Sequence, residues 1–321
     1  MKSSKAFKHW QSWLVAVVLM GASVLVQAAT KSYTVTAPDG VSIAVQEAGD
    51  PNGPPIVFIH GLLGSHLSWE KQVGSPALQH YRLITYDMRG HGVSGQPENA
   101  DAYSDGRHWA DDLAAVIAGA GVEQPVVVGW SLGAAVITNY LAAYGDEKIV
   151  GAVYVGGVIE LAPEQIVPRP RVYSGMASPD LKTHLDAERE FVALCFSTQP
   201  DAVTFQRLLA NAAMASENMQ NAVQRMSLDA SKGLGAMHKP LLLIYGAEDA
   251  LVRAKPSFNR AKELNPNLTG KFYLESGHSP FFEEPDRFNR DLAVFMDTIE
   301  ARRPPLPEDS PGRYSWQSTS H

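Results

Sequence analysis

The sequence predicts an α/β fold, with a mostly parallel sheet covered by helices on both faces. Short apolar, β-branched runs recur at 56–59, 83–86, 126–128, 150–155, 241–245 and 272–274. Helical stretches separate most of them, as at 107–120, 132–144, 256–264 and 285–301. Strands that alternate with helices pair in parallel, because each crossover returns the chain in the same direction. The runs also lack polar alternation, as expected of strands buried on both faces.

The elements follow in order along the chain. Residues 33–36 and 42–46 do alternate, and they read as an edge hairpin around Asp39-Gly40. The rhythm of strand and helix then holds from 56 to 155. Between Val158 and His238 it breaks, with no strand pattern at all. That segment opens with Pro163, Pro168 and Pro170 and then reads as helices near 180–196, 202–214 and 217–228. A long insertion inside a compact fold is usually functional. The expectation is a helical cap over a site, with a purely structural subdomain as the plainer alternative. The cap offers Phe191, Leu194, Phe196, Phe205, Leu208, Met214 and Met226 as apolar lining. The expected domains are a core of 29–157 and 239–302, with the cap at 158–238. The tail 303–321, with Pro304, Pro305, Pro307 and Pro311, reads as disordered.

The N-terminus has its own signature. Lys2, Lys5 and Lys8 precede an uncharged apolar run from Leu14 to Val26, and Val26-Gln27-Ala28 follows. This is the order of a secretory signal peptide, with cleavage expected after Ala28 and Ala29 as runner-up. The alternative is an uncleaved anchor, for which the run is short against the ~20 residues a membrane span needs. No Cys directly follows the run, so a lipid-modified cysteine is excluded. Cleavage would leave no stable membrane span and an exported protein, periplasmic or extracellular. Cys195 is the single cysteine, so no intramolecular disulfide is possible, and in FVALCFS it reads as a packed residue. The net charge of −7 drops to −10 without residues 1–28, and no basic cluster lies beyond them, so nucleic acid is not an expected partner.

Chemistry concentrates in a few loops. Gly129-Trp130-Ser131-Leu132-Gly133 is the one GxSxG, set between the run 126–128 and the helix 132–144. A sharp strand-to-helix turn pushes a serine hydroxyl above the sheet. The helix N-terminus beside it favours developing negative charge. Serine needs a base to take its proton. His278, in Gly277-His278-Ser279 after the run 272–274, has the matching position, and the other histidines lack it. A carboxylate must hold the imidazole. Asp249 follows the run 241–245, with Glu248 as its neighbouring rival. Ser, then Asp, then His is the chain order used by folds that carry this strand–elbow–helix motif. His60-Gly61-Leu62-Leu63-Gly64 ends the strand at 56–59, and the Leu62 and Leu132 N–H groups are the expected oxyanion donors. Trp130 would flank a pocket, with Phe191 and Phe205 as further pocket residues. Glu283, Glu284 and Asp286 read as a helix start. There is no HExxH, no CxxC and no dinucleotide-binding glycine loop.

Together these pieces resemble the α/β-hydrolase superfamily, in the branch of small carboxylesterases and cofactor-free haloperoxidases. The resemblance rests on HGLLGS at 60–65, DMRGHGVS at 87–94, GWSLG at 129–133, GAED at 246–249 and GHSPFFEEP at 277–285. It spans Tyr33 to Arg302. It implies an eight-stranded, mostly parallel sheet with a variable helical cap, and hydrolysis of a small to medium carboxylic ester without metal or organic cofactor. GWSLG looks like the elbow of pimeloyl-type methyl ester carboxylesterases. Haloalkane dehalogenases and epoxide hydrolases of this fold carry Asp at the position of Ser131. The resemblance leaves a perhydrolase or haloperoxidase, a lactonase or a carbon–carbon bond hydrolase open on the same three residues. A non-catalytic binding protein on this scaffold would have lost one of them, and none is missing.

Overall fold

The computed structural model describes residues 31–302. The expected signal peptide and the tail 303–321 lie outside the described residues. Eight strands form one sheet in the order β1-β2-β4-β3-β5-β6-β7-β8. These are β1 (Lys31–Thr36), β2 (Ser42–Gly49), β3 (Pro55–Ile59), β4 (Arg82–Tyr86), β5 (Val126–Trp130), β6 (Gly151–Val155), β7 (Leu241–Gly246) and β8 (Thr269–Tyr273). β1 and β2 form the predicted hairpin, and β2 also runs antiparallel to β4. All other pairs are parallel. This is the α/β-hydrolase architecture that the motifs imply.

The chemistry of the strands explains their placement. β5, β6 and β7 are buried at every position, which their unbroken apolar sequences allow only in the middle of a covered sheet. The edge strand β8 (TGKFY) buries only Tyr273. Between β6 and β7 lie the helices Pro170–Met176, Leu181–Leu194, Ala202–Ala212 and Glu217–Ala222. Sequence reading had no helix at 170–176, because three prolines crowd its approach, yet Pro170 sits in the first turn, where a missing N–H does no harm. The predicted stretch 217–228 ends early. Helix gives way at Ala222 to a 3₁₀ turn, Val223–Arg225.

Before that helical segment the chain forms a strap across residues 160–170. Ile166 makes an antiparallel bridge to Val252, in the loop after β7. Cys195 is packed as expected, its thiol pushed up in pKa by burial. Among the described residues, no helix is long and apolar enough to cross a membrane.

Candidate active site

The C-terminal ends of β3, β5, β7 and β8 carry the predicted loops. Ser131 directly follows β5 and precedes the helix Leu132–Tyr144, with φ 54° and ψ −113°. Few non-glycine residues take such a backbone, and those that do cluster at functional sites. Hydrogen bonds hold it there: Ser131 N donates to Val155 O (2.9 Å), and its carbonyl accepts from Ala134 N (3.1 Å) and Val158 N (3.3 Å). The flanking glycines are steric necessities. A Cβ on Gly129 would lie 2.5 Å from the Gly133 backbone, and one on Gly133 would lie 2.4 Å from Ile59 O.

His278 is buried in the loop after β8, and its Nδ1 lies 2.7 Å from Asp249 Oδ2. The other oxygen, Asp249 Oδ1, accepts from Leu251 N (2.8 Å) and Val252 N (2.9 Å). The carboxylate is thus fixed on both sides. The rival Glu248 is exposed and gives only its backbone N–H, to Ser276 O. His278 Nε2 is buried and has no hydrogen-bond partner among the described residues. A ring nitrogen held ready in this way is available to take a proton. Gly156, at φ 51°, sits under the imidazole: a Cβ there would lie 3.0 Å from His278 Nδ1.

Leu62 and Leu132 line one cavity of about 510 Å³ together with Ser131. Their backbone N–H groups donate to no backbone acceptor in the loops or turns among the described residues. Leu132 is the first residue of its helix, where N–H groups lack intrahelical partners.

The pocket aromatics divide. Phe191 lines the cavity and packs edge-on to Tyr173, with ring centroids 6.3 Å apart. Trp130 does not line it. The indole turns under the elbow, donates Nε1–H to His278 O (2.9 Å) and packs against Phe281. Phe205 lies outside it too, half-buried on the helix Ala202–Ala212 against the core. Its helix face meets protein rather than the cavity. Most of the lining comes instead from the strap, including Leu161, Pro163, Ile166 and Pro168, and from Leu251 and Val252. Periodicity favours helices, so an irregular proline-rich strap left no signal as lining.

Two further groups support the loops. His60 Nδ1 lies 2.7 Å from Gly61 O, and His60 Nε2 accepts from Met88 N (2.9 Å), which requires a neutral ring. Burial pushes its pKa down to about 4. His91, with its ring centroid 4.9 Å away, is pushed to about 3 by burial and by His60. Asp87 accepts from His66 N (2.7 Å) and Val93 N (3.0 Å), and pairs with His66 Nδ1 (2.7 Å). Burial would raise its pKa, but His66 and these donors outweigh it and hold it at about 2. The DMRGHGVS loop therefore braces the sheet end, and His66 forms a second His–Asp pair that does not line the cavity.

Glu283 corrects the reading of a helix start. It ends the short helix Pro280–Glu283, and its carboxylate accepts from Ser197 N, Thr198 N and Gly277 N at 2.8–2.9 Å. It latches the helical segment to the loop of His278. Asp286 does sit in the first turn of the helix Pro285–Glu300.

A strained serine at a strand–helix elbow, at the C-terminal end of a strand in a mostly parallel sheet of this order, defines a hydrolase of the α/β class. Residues 54–285 match the family model for the alpha/beta hydrolase fold, and the chain belongs to that family. It is similar to the crystal structure of a proposed aryl esterase from Burkholderia cenocepacia. The two are 64% identical with a TM-score of 0.84, over 85% of this chain and 100% of that one. It is 41% identical to a proposed non-heme chloroperoxidase from Synechocystis sp., over 76% of this chain and 91% of the relative. It is 27% identical to a bifunctional esterase/perhydrolase from Acinetobacter calcoaceticus, over 82% of this chain and 98% of the relative.

Proposed function

We propose that the protein is a serine esterase that cleaves small to medium carboxylic esters through an acyl-enzyme on Ser131. The observation that carries this reading is the buried His278–Asp249 pair: its Nε2 has no partner among the described residues, and its loop is tied by the His278 carbonyl to Trp130, the residue before the strained Ser131. Ser131 Oγ attacks the ester carbonyl carbon while His278 Nε2 takes its proton. Asp249 holds the ring in the tautomer that leaves Nε2 open and stabilises the imidazolium. The N–H groups of Leu62 and Leu132 receive the oxyanion. The tetrahedral centre collapses, the C–O bond to the alcohol breaks, and His278 protonates the leaving oxygen. Water, deprotonated by His278, then attacks the acyl-enzyme and returns Ser131.

The cavity beside Ser131 is walled by Leu, Ile, Val and Pro side chains, with Tyr173 and Phe191 as its aromatics. An apolar acyl or aryl group suits such walls, since removing it from water supplies the binding energy. The resemblance to an esterase/perhydrolase supports a second reading, peracid formation, in which hydrogen peroxide replaces water on the acyl-enzyme. Export as a cleaved precursor is proposed on the sequence of residues 1–28 alone.

A fluorophosphonate probe followed by peptide mass spectrometry tests the nucleophile. The expected label is on Ser131, and Ser131→Ala is expected to lose hydrolysis of p-nitrophenyl acetate while staying folded. A label elsewhere, or retained activity, would overturn the assignment. Assaying peracid beside free acid separates the two readings.

A further inference from the structure

The strap at 160–170 is joined to the four residues that follow Asp249. Val167 N donates to Leu251 O (2.8 Å), and Arg253 N donates to Gln165 O (2.7 Å). Ile166 bridges Val252. Arg169 donates Nε–H and Nη2–H to Ala250 O at 3.3 and 3.2 Å. The N–H groups of Leu251 and Val252 are the same two that hold Asp249 Oδ1. The loop is thus clamped on one side by the strap and on the other by the carboxylate that orients His278.

The strap is also anchored from outside. Glu160 accepts from Arg260 Nε and Nη2, both at 2.9 Å, and from Gln165 Nε2 at 3.0 Å. Gln165 is buried and directly precedes the cavity-lining Ile166, so this lock is tied to the wall through the chain. The wall itself is shared: strap residues Ile166, Val167 and Arg169 face the cavity together with Leu251 and Val252. A group that fills the cavity therefore presses on both partners of the clamp at once.

We infer that the strap couples filling of the cavity to the placement of Asp249, with Arg169 as a positioning residue, so that esters with a cavity-filling apolar group turn over faster. The inference rests on the esterase reading and specifies its substrate class. Binding energy from a group remote from the carbonyl is used to align the His–Asp pair, and appears in kcat rather than in KM. A misplacement of about 1 Å can cost about a hundredfold in rate.

The test uses full-length protein with p-nitrophenyl acetate and p-nitrophenyl hexanoate. In the parent enzyme, kcat is expected to be higher for the hexanoate. Arg169→Met keeps the length of the side chain and loses both donors. Its kcat for the hexanoate is expected to fall by about tenfold or more, with KM changed by less than about twofold. Arg169→Lys, which can still reach Ala250 O, should restore a large part. Arg260→Met loosens the strap from outside the cavity and should lower the same kcat in the same direction. A rise in KM alone in Arg169→Met, or parent-like kcat in both methionine variants, would overturn the coupling. A parent enzyme that hydrolyses neither ester, or takes a probe elsewhere than Ser131, would instead overturn the esterase reading. Melting temperatures of the variants separate either result from loss of fold.

Discussion

Replacing Asp249 with Asn isolates the role of the carboxylate, because the structure dictates which way the amide must turn. Two backbone donors, Leu251 N and Val252 N, point at Asp249 Oδ1. An asparagine must place its carbonyl oxygen there, since its NH₂ would face two N–H groups. The NH₂ then occupies the place of Oδ2, 2.7 Å from His278 Nδ1. Nδ1 must now accept, so the ring proton moves to Nε2, the nitrogen that in the proposed mechanism receives the proton of Ser131. The variant keeps its shape and holds the wrong tautomer. Loss of this orienting carboxylate in a serine triad lowers kcat by about 10⁴-fold. That corresponds to about 5 kcal/mol of transition-state stabilisation. The assay is steady-state hydrolysis of p-nitrophenyl acetate beside a thermal melt. The expected result is a loss of that order with a melting temperature within a few degrees of the parent. Activity within tenfold of the parent would refute the tautomer argument, and with it the placement of Asp249 in the reaction.

Two further predictions concern the scaffold. Gly133→Ala would bring a Cβ to 2.4 Å from Ile59 O and 2.8 Å from His60 O, both backbone atoms that cannot step aside. A loss of about 3 kcal/mol is expected, a fall of roughly 6–12 °C in the melting temperature of a domain this size. A melt unchanged to within 2 °C would show that the close approach of helix and strand is not required. The second is a pH dependence. An unfolded histidine takes up a proton near pH 6.5, whereas folded His60 resists protonation down to about 4 and His91 down to about 3. The unfolded chain therefore binds more protons between those values. Stability from these two groups is complete above 6.5 and is lost as pH falls through 4, on the order of several kcal/mol. Urea midpoints should decline steadily from pH 6.5 to 4, and a flat profile down to 4.5 would contradict the neutral, buried rings.

How much of this was legible follows from where the physics is local. The elbow was readable because one tight turn imposes its demands on five consecutive residues: glycine at 129 is needed by the backbone of Gly133 in the same turn, and glycine at 133 by the backbone of Ile59 and His60 beside it. The order of Asp249 and His278 was readable because each sits one loop beyond a short apolar run, 241–245 and 272–274. Trp130 misled for a related reason. Its neighbour in sequence is the candidate nucleophile, but a strand turns successive side chains to opposite faces, and Trp130 reaches the His278 carbonyl instead of the cavity. Phe205 misled because helical periodicity reports an apolar face without saying what that face meets.

The strap was illegible for a deeper reason. Two of its four hydrogen bonds to Ala250, Leu251 and Arg253 are backbone-to-backbone, the other two end on a backbone carbonyl, and all join residues more than 80 positions apart. Main-chain donors and acceptors are the same in every residue but proline, so such pairing writes nothing distinctive into the sequence. Its prolines read only as an interruption of helix. In the fold those same prolines at 163, 168 and 170 are cavity wall, and the segment they interrupt pairs with the loop after Asp249 through the Ile166–Val252 bridge. Sequence motifs therefore locate the groups that would do the chemistry. The shape that would choose the ester comes from a segment whose function depends on having no regular pattern, and that is why the substrate has to be read from the cavity and tested on Arg169 rather than inferred from the motifs.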